Sequence, residues 1–201
     1  MKHFRYFAAA LGVMGLASAT VFGATSSAHT AKAAAASCKA SLALEAPLTG
    51  PVAQLGLEQL AGAKAAITAD NKALGTKVTL AQDDTQLTPS LATTKTQAII
   101  SSNAVAVIGP SGSQEVEAVG PALASAGLAA ISGSATNPTL TMGGANKTFL
   151  RVVATDAVQG PQDANYILKH LKPKAVLIVE DEEIYSTGLG GTIQQILQGK
   201  G

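Results

Sequence analysis

Beyond residue 37 the chain alternates between two periods of apolar and polar positions. Residues 41–45 read as a short strand, and after a loop over 47–56, Leu57, Leu60, Ala61, Lys64 and Ile67 recur at helical spacing up to Asn71. Residues 77–82 alternate again, with Val78 and Leu80 on one face. Thr88 then offers a helix cap with Pro89 at the first helical position, which predicts a helix to about Ser101. Residues 104–108 form an unbroken apolar run, the pattern of a strand covered on both faces. A helix from Ser113 to about Ala126 and a strand over 128–131 follow. Strand and helix therefore alternate four times, which predicts an α/β fold with a parallel sheet and right-handed crossovers.

A different segment begins at Thr148. Residues 148–153 read as a strand, Asp156 as the cap of a helix ending near His170, residues 175–179 as an apolar strand, and 186–198 as another helix. The glycine-rich stretch Met142-Gly143-Gly144-Ala145-Asn146 is a boundary candidate. This divides the chain into residues 38–147, a nearly complete N-terminal α/β lobe, and 148–201, the start of a C-terminal lobe. Two parallel strands are rarely stable alone, so the second lobe reads as only begun and the chain as truncated.

Residues 1–37 belong to neither. Lys2, His3 and Arg5 precede an apolar, small-residue run over 7–22, shorter than the ~20 residues of a spanning helix. This predicts an export signal, with cleavage at the small residues near Ala28 or Ala36 and a mature protein in the periplasm or at the cell surface. Cys38 follows Ala35-Ala36-Ser37 and is an alternative lipid-attachment point.

Composition narrows the chemistry. The 201 residues include 14 Lys and Arg, 13 Asp and Glu, 3% aromatics and one cysteine. A balanced charge argues against a nucleic-acid partner, and one cysteine against a disulfide framework or Cys-rich zinc site. Without residues 1–37, Lys2, Arg5 and Lys32 are lost, 11 basic residues face 13 acidic ones, and the only aromatics and histidine are Phe149, Tyr166, Tyr185 and His170.

In a parallel α/β sheet, ligands lie beyond the carboxyl ends of the strands, which singles out the loops 47–56, 83–88, 109–113 and 132–136. All are rich in Gly, Ser, Thr and Pro. Small side chains in Gly109-Pro110-Ser111-Gly112-Ser113 admit a ligand to the free amides of a helix start, a carboxylate or phosphate site. Ser132-Gly133-Ser134-Ala135-Thr136 adds hydroxyls and carbonyls without charge, which suits a small zwitterion. Each loop taken singly also reads as an ordinary strand-to-helix turn.

Enzyme patterns are missing from the sequence. No dinucleotide or phosphate-loop motif is present, and Gly109 to Ser113 lacks the last glycine of a nucleophile elbow. His170 precedes Lys172-Pro173-Lys174 at a helix end and reads as a solvated cap. Glu180-Asp181-Glu182-Glu183 lacks the spacing of a calcium loop and reads as a charged surface turn. We expect no catalytic residue, metal or cofactor.

Several segments, in order, carry a resemblance: Ala46-Pro47-Leu48-Thr49-Gly50-Pro51, Gln82-Asp83-Asp84, Val107-Ile108-Gly109-Pro110, Ser134-Ala135-Thr136-Asn137-Pro138, Phe149-Leu150-Arg151, Asp156 with Gln159-Gly160, and Glu180-Asp181 with Tyr185 and Gly188. The chain resembles the periplasmic substrate-binding proteins of branched-chain amino acid ABC transporters, the leucine-binding type of the type I two-lobe fold. The resemblance implies that Ser113 and Thr136 hold an amino acid carboxylate, that the main chain at Ser134 receives the ammonium, and that Tyr185 closes over the ligand. Leu55 stands where the family often places an aromatic ring. The family's acidic ammonium partner has no counterpart in this chain. The implied function is capture of a small amino acid or amide for a membrane permease. A ligand-sensing module of the same fold is the alternative, and a hydrolase or metal-dependent enzyme a further one.

Overall fold

The computed structural model describes residues 38–199. The expected export signal and linker over 1–37 lie outside the described residues. β1 (Lys39–Ala46), α1 (Ala53–Leu74), β2 (Lys77–Asp84), α2 (Pro89–Ile100), β3 (Ala104–Ile108), α3 (Ser113–Ser125) and β4 (Ala129–Ser132) follow one another as the periodicity predicts. A 3-10 turn over Pro138–Thr141, β5 (Phe149–Arg151), α4 (Asp156–Tyr166), a π turn over Ile167–Leu171 and α5 (Ile184–Gln198) complete the order. Local signals account for several boundaries. Pro89 opens α2 after an extended Thr88, where its missing N–H costs nothing. α1 stops at the left-handed Gly75.

The five strands form one sheet in the order β2-β1-β3-β4-β5, every pair parallel. Side chains of alternate strand residues face two layers. On one side Ala43, Val107, Ala130 and Phe149 pack with Ala92 and Ile99 of α2 and with Val116, Val119 and Leu123 of α3. On the other, Leu44 and Ala46 pack with Leu60 of α1, flanked by Leu80 and Ile108. Each fully buried Val or Leu here contributes ~1.5–3 kcal/mol.

Four expectations are corrected. β3 is not covered along its whole length: Val107 is buried but Val105 is 57% exposed, at the open margin beside Lys39 and Lys77. Phe149–Arg151, expected in a second lobe, pairs with β4 and forms the edge of the first sheet. Residues 175–179 form no strand. The run is apolar, yet a strand exists only through a ladder partner, and none lies beside it among the described residues; Leu177 and Val179 are 87% and 83% exposed. A cavity of about 820 Å³ opens beside this segment, against Ile167, Leu168 and Leu197. Finally, Thr155 is the N-cap of α4 and Asp156 its first residue.

Candidate functional site

The strand order reverses direction between β1 and β3, so the loops that leave their carboxyl ends diverge and open a crevice. Gly109 begins the loop after β3 at φ 113°, and a Cβ there would strike the carbonyl of Glu45 on β1, so only glycine lets the two backbones lie so close. Asp84, at the end of β2, gathers the loop after β1: its carboxylate accepts from the N–H groups of Leu48 (2.8 Å) and Thr49 (3.2 Å) and from the Thr49 hydroxyl.

The loops after β3 and β4 are tied to each other. The Ser132 hydroxyl donates to the Pro110 carbonyl (2.6 Å) and accepts from Ala135 N–H (3.0 Å). The Ser134 hydroxyl donates to the Ser111 carbonyl at 2.6 Å. Gln59 of α1 bridges both loops: its Nε2 donates to Ser134 Oγ (3.0 Å) and its Oε1 accepts from Ser111 Oγ (2.9 Å).

Ser113 is buried at the first position of α3, and its hydroxyl accepts from Asn137 N–H at 3.2 Å. Accepting that bond leaves the hydroxyl its own proton to donate. Thr136 Oγ1 is buried without a hydrogen-bond partner, one residue from the contact between Ser113 and Asn137. The Arg151 guanidinium fixes the backbone on either side of Thr136, donating from Nη1 to the carbonyls of Ala135 (3.0 Å) and Asn137 (2.9 Å). Burial draws the Arg151 pKa below its ordinary value, and the charge of Asp156 works against that shift. Asp156 donates its N–H to the Thr136 carbonyl (3.1 Å). Its carboxylate is fully buried with neither oxygen partnered, rather than serving as the helix cap expected from sequence.

Of the residues singled out from sequence, Ser113, Ser134 and Thr136 thus lie on two linked loops. Leu55 precedes Gln59 by one helical turn and shares its face of α1. Tyr185 stands in the first turn of α5, next to Ile184, whose carbonyl accepts from Asn137 Nδ2 at 2.8 Å. Gly188 allows that contact, because a Cβ there would come within 2.6 Å of the same nitrogen. The cavity beside residues 175–179 is lined by none of these residues.

Two further carboxyl groups lie beneath the loops. Glu45, fully buried at the end of β1, accepts from the Thr96 hydroxyl (2.7 Å) through one oxygen and leaves the other unpartnered. Burial pushes its pKa from the ordinary 4.5 up to about 8; the Thr96 hydrogen bond opposes this, and the charges of Glu115 and Asp83 add to it. Glu115, equally buried, accepts from Gly112 N–H at 2.7 Å and so closes the first turn of α3. Burial raises its pKa too, against hydrogen bonds from Thr85, Gly112 and Ser111.

The sequence reading missed Gln59 and the carboxyl groups of Glu45 and Glu115, and it gave Asn137 and Asp156 no part in the site. A polar side chain recurring one turn from Leu55 is the signal that could have drawn attention to Gln59. Among the described residues, no group of three or more His, Cys, Asp or Glu could hold a metal ion. Asp181 of the acidic run instead secures the start of α5, accepting from the Ser186 hydroxyl and from Glu183 N–H (3.1 Å). The Ser186 hydrogen bond is the main cause that lowers its pKa.

Known proteins resemble the chain in sequence and fold. The Leu/Ile/Val-binding protein of Citrobacter freundii is 31% identical over 160 residues, 78% of this chain and 43% of that protein. The leucine binding protein LivK of Thermotoga maritima superposes with a TM-score of 0.74 at 26% identity, over 81% of this chain and 46% of the other. LivJ of Streptococcus pneumoniae, a branched-chain amino acid transporter substrate binding protein in complex with isoleucine, gives 0.72 at 25% identity, over 78% and 46%. The chain therefore spans less than half the length of these relatives. The family described as periplasmic binding protein matches residues 39–201, and the chain belongs to that family.

Proposed function

We propose that the protein is an exported solute-binding protein that captures a small amino acid of branched-chain type between two lobes and delivers it to an ABC permease. The observation that carries this reading is the Thr136 hydroxyl, buried and unpartnered, one residue before the Asn137 N–H that donates to Ser113 Oγ. Two hydroxyl donors at the positive end of α3 suit one carboxylate. The ammonium falls to the main chain at Ser134, whose hydroxyl already donates to the Ser111 carbonyl. Tyr185 and Leu55 then border the aliphatic side chain. The start of α5 rests on Asn137 in the conformation described, so entry needs that contact to open and capture is hinge closure. Relatives named for binding leucine, isoleucine and valine support the ligand class.

Calorimetric titration with leucine, isoleucine and valine tests the proposal, with 4-methylpentanoate and isoamylamine as partners lacking the ammonium and the carboxylate. Ser113→Ala and Thr136→Ala should each weaken leucine binding by roughly ten- to a hundredfold, the ~1.5–3 kcal/mol of a hydrogen bond to a charged group. Unchanged affinity with a lowered melting temperature would mean that the hydroxyls merely cap turns. Export predicts that mass spectrometry of the secreted protein finds an N-terminus between Ala24 and Cys38, whereas a cytosolic product retaining Met1 overturns it. A diacylglycerol mass on Cys38 would make the protein a lipid-anchored one.

A further inference from the structure

We propose that Gln59 is the positioning residue of this site: by bridging the loops after β3 and β4 it sets the spacing between the Ser113 and Thr136 hydroxyls. The inference rests on the amino acid reading above, but its geometry stands without a ligand. Gln59 Nε2, Ser134 Oγ, the Ser111 carbonyl, Ser111 Oγ and Gln59 Oε1 form a closed circuit of three hydrogen bonds, of 3.0, 2.6 and 2.9 Å. Proton counting fixes its direction. Ser134 has one hydroxyl proton and spends it on the Ser111 carbonyl, so it can only accept from Gln59. The amide nitrogen must then face Ser134, which leaves Oε1 to receive the Ser111 proton. A primary amide is the side chain that supplies a donor and an acceptor side by side at this reach.

The circuit joins the loop that ends in Ser113 to the loop that ends in Thr136, two residues downstream of its anchors on each. It is held from α1, a 22-residue helix packed through Leu60 on β1. Ser134 is thereby committed to the scaffold through its hydroxyl, so any role it has toward a ligand falls to its main chain. Ser111 and Ser134, which hydrogen-bond the amide, and Gly133, which lies against it, do not titrate.

Three variants test the assignment: Gln59→Leu, which keeps the shape and loses both bonds, Ser134→Ala, and Gln59→Glu. Amide hydrogen exchange of the ligand-free protein at Ala135 and Asn137 should accelerate in all three near neutral pH. In Gln59→Glu a carboxylate accepts from Ser111 but has no proton for Ser134. Once it is protonated below about pH 4, its O–H can restore the circuit. Protection relative to the parent at the same pH should therefore return for Gln59→Glu and not for Gln59→Leu. With leucine as the probe, Gln59→Leu and Ser134→Ala should each weaken binding roughly three- to tenfold, and the double variant no further than the stronger single one. Exchange unchanged in Gln59→Leu, or unrescued by acid in Gln59→Glu, overturns the positioning role whatever the parent binds. Equal leucine affinity in the parent and Gln59→Leu also overturns it. Failure of the parent to bind any of the three amino acids, with the exchange pattern as expected, would sink the ligand reading and leave the clamp standing.

Discussion

Replacing Glu45 by glutamine should change the pH dependence of stability more than any other single substitution beneath the loops. The native carboxyl holds its proton up to about 8, whereas the unfolded one ionises near 4.5. Its contribution to stability is therefore fully present below the unfolded value and is lost as the pH rises through the native one. Each pH unit in that window is about 1.4 kcal/mol, so the interval from 4.5 to about 8 amounts to roughly 5 kcal/mol. That is large beside a typical domain stability of ~5–15 kcal/mol. The amide introduced by Glu45→Gln has no charge to bury, and its oxygen can still accept from the Thr96 hydroxyl. Urea unfolding of parent and variant from about pH 5 to about pH 9 should give curves that nearly meet at the acid end and diverge toward alkali, with the variant ahead by several kcal/mol. Both proteins should keep some further loss from Glu115 as the pH rises, since burial raises its pKa. Two parallel curves, or a variant that is weaker at every pH, would refute the reasoning.

Asp84 should act at the other end of the scale. Burial works to raise its pKa, but hydrogen bonds from the Thr49 hydroxyl and from the N–H groups of Leu48, Gln86 and Thr49 outweigh it and hold it below the ordinary 3.8. Its stabilising effect is present above the unfolded value and lost as pH falls through the native one, so Asp84→Asn should flatten the acid limb of a melting-temperature profile; an identical limb in both proteins counts against the assignment. Gly56→Ala would drive a methyl into the backbone of Pro47 and should cost ~1–3 kcal/mol, read as a lowered urea midpoint with an unchanged slope. An unaltered midpoint would show that the loop after β1 yields freely.

The elements that were legible from sequence are those whose signal is local. The strands beginning near Ser41, Lys77 and Ala104 and the helix starting at Pro89 announce themselves through alternation, apolar runs and capping chemistry. Segment 175–179 misled because an apolar run fixes what a strand must bury, not whether a partner stands beside it. β5 misled for the opposite reason. Its three residues follow a glycine-rich turn that looks like a boundary, yet their backbone pairs with β4. At the site, the loops that carry Ser113 and Thr136 could be singled out because hydroxyls recur at strand ends in order along the chain, while the choice of these two residues rests on the family resemblance. Glu45 could not: one acid in an apolar strand gives no hint that the fold buries it and so raises its pKa, or that Glu115, seventy positions on, lies near enough to add to the shift. The amide of Gln59 is equally silent, since its partners come from two loops that only the folded sheet brings together.

The position of β1 in the sheet has a consequence for the order of assembly. The first strand in sequence is paired on both edges, and the pairing with β3 joins Ser41 to Ala104. The chain must close two crossovers before that contact repays their entropy, which places the sheet among slow-forming, non-local topologies. A nascent chain shorter than about Ile108 carries β1 with one edge unpaired and Gly109 not yet against Glu45. Its buried carboxyl would still face water and remain ionised near neutral pH. Completion of the central strand and uptake of the Glu45 proton should therefore be one event, so that folding at neutral pH draws a proton from solvent as the third strand docks.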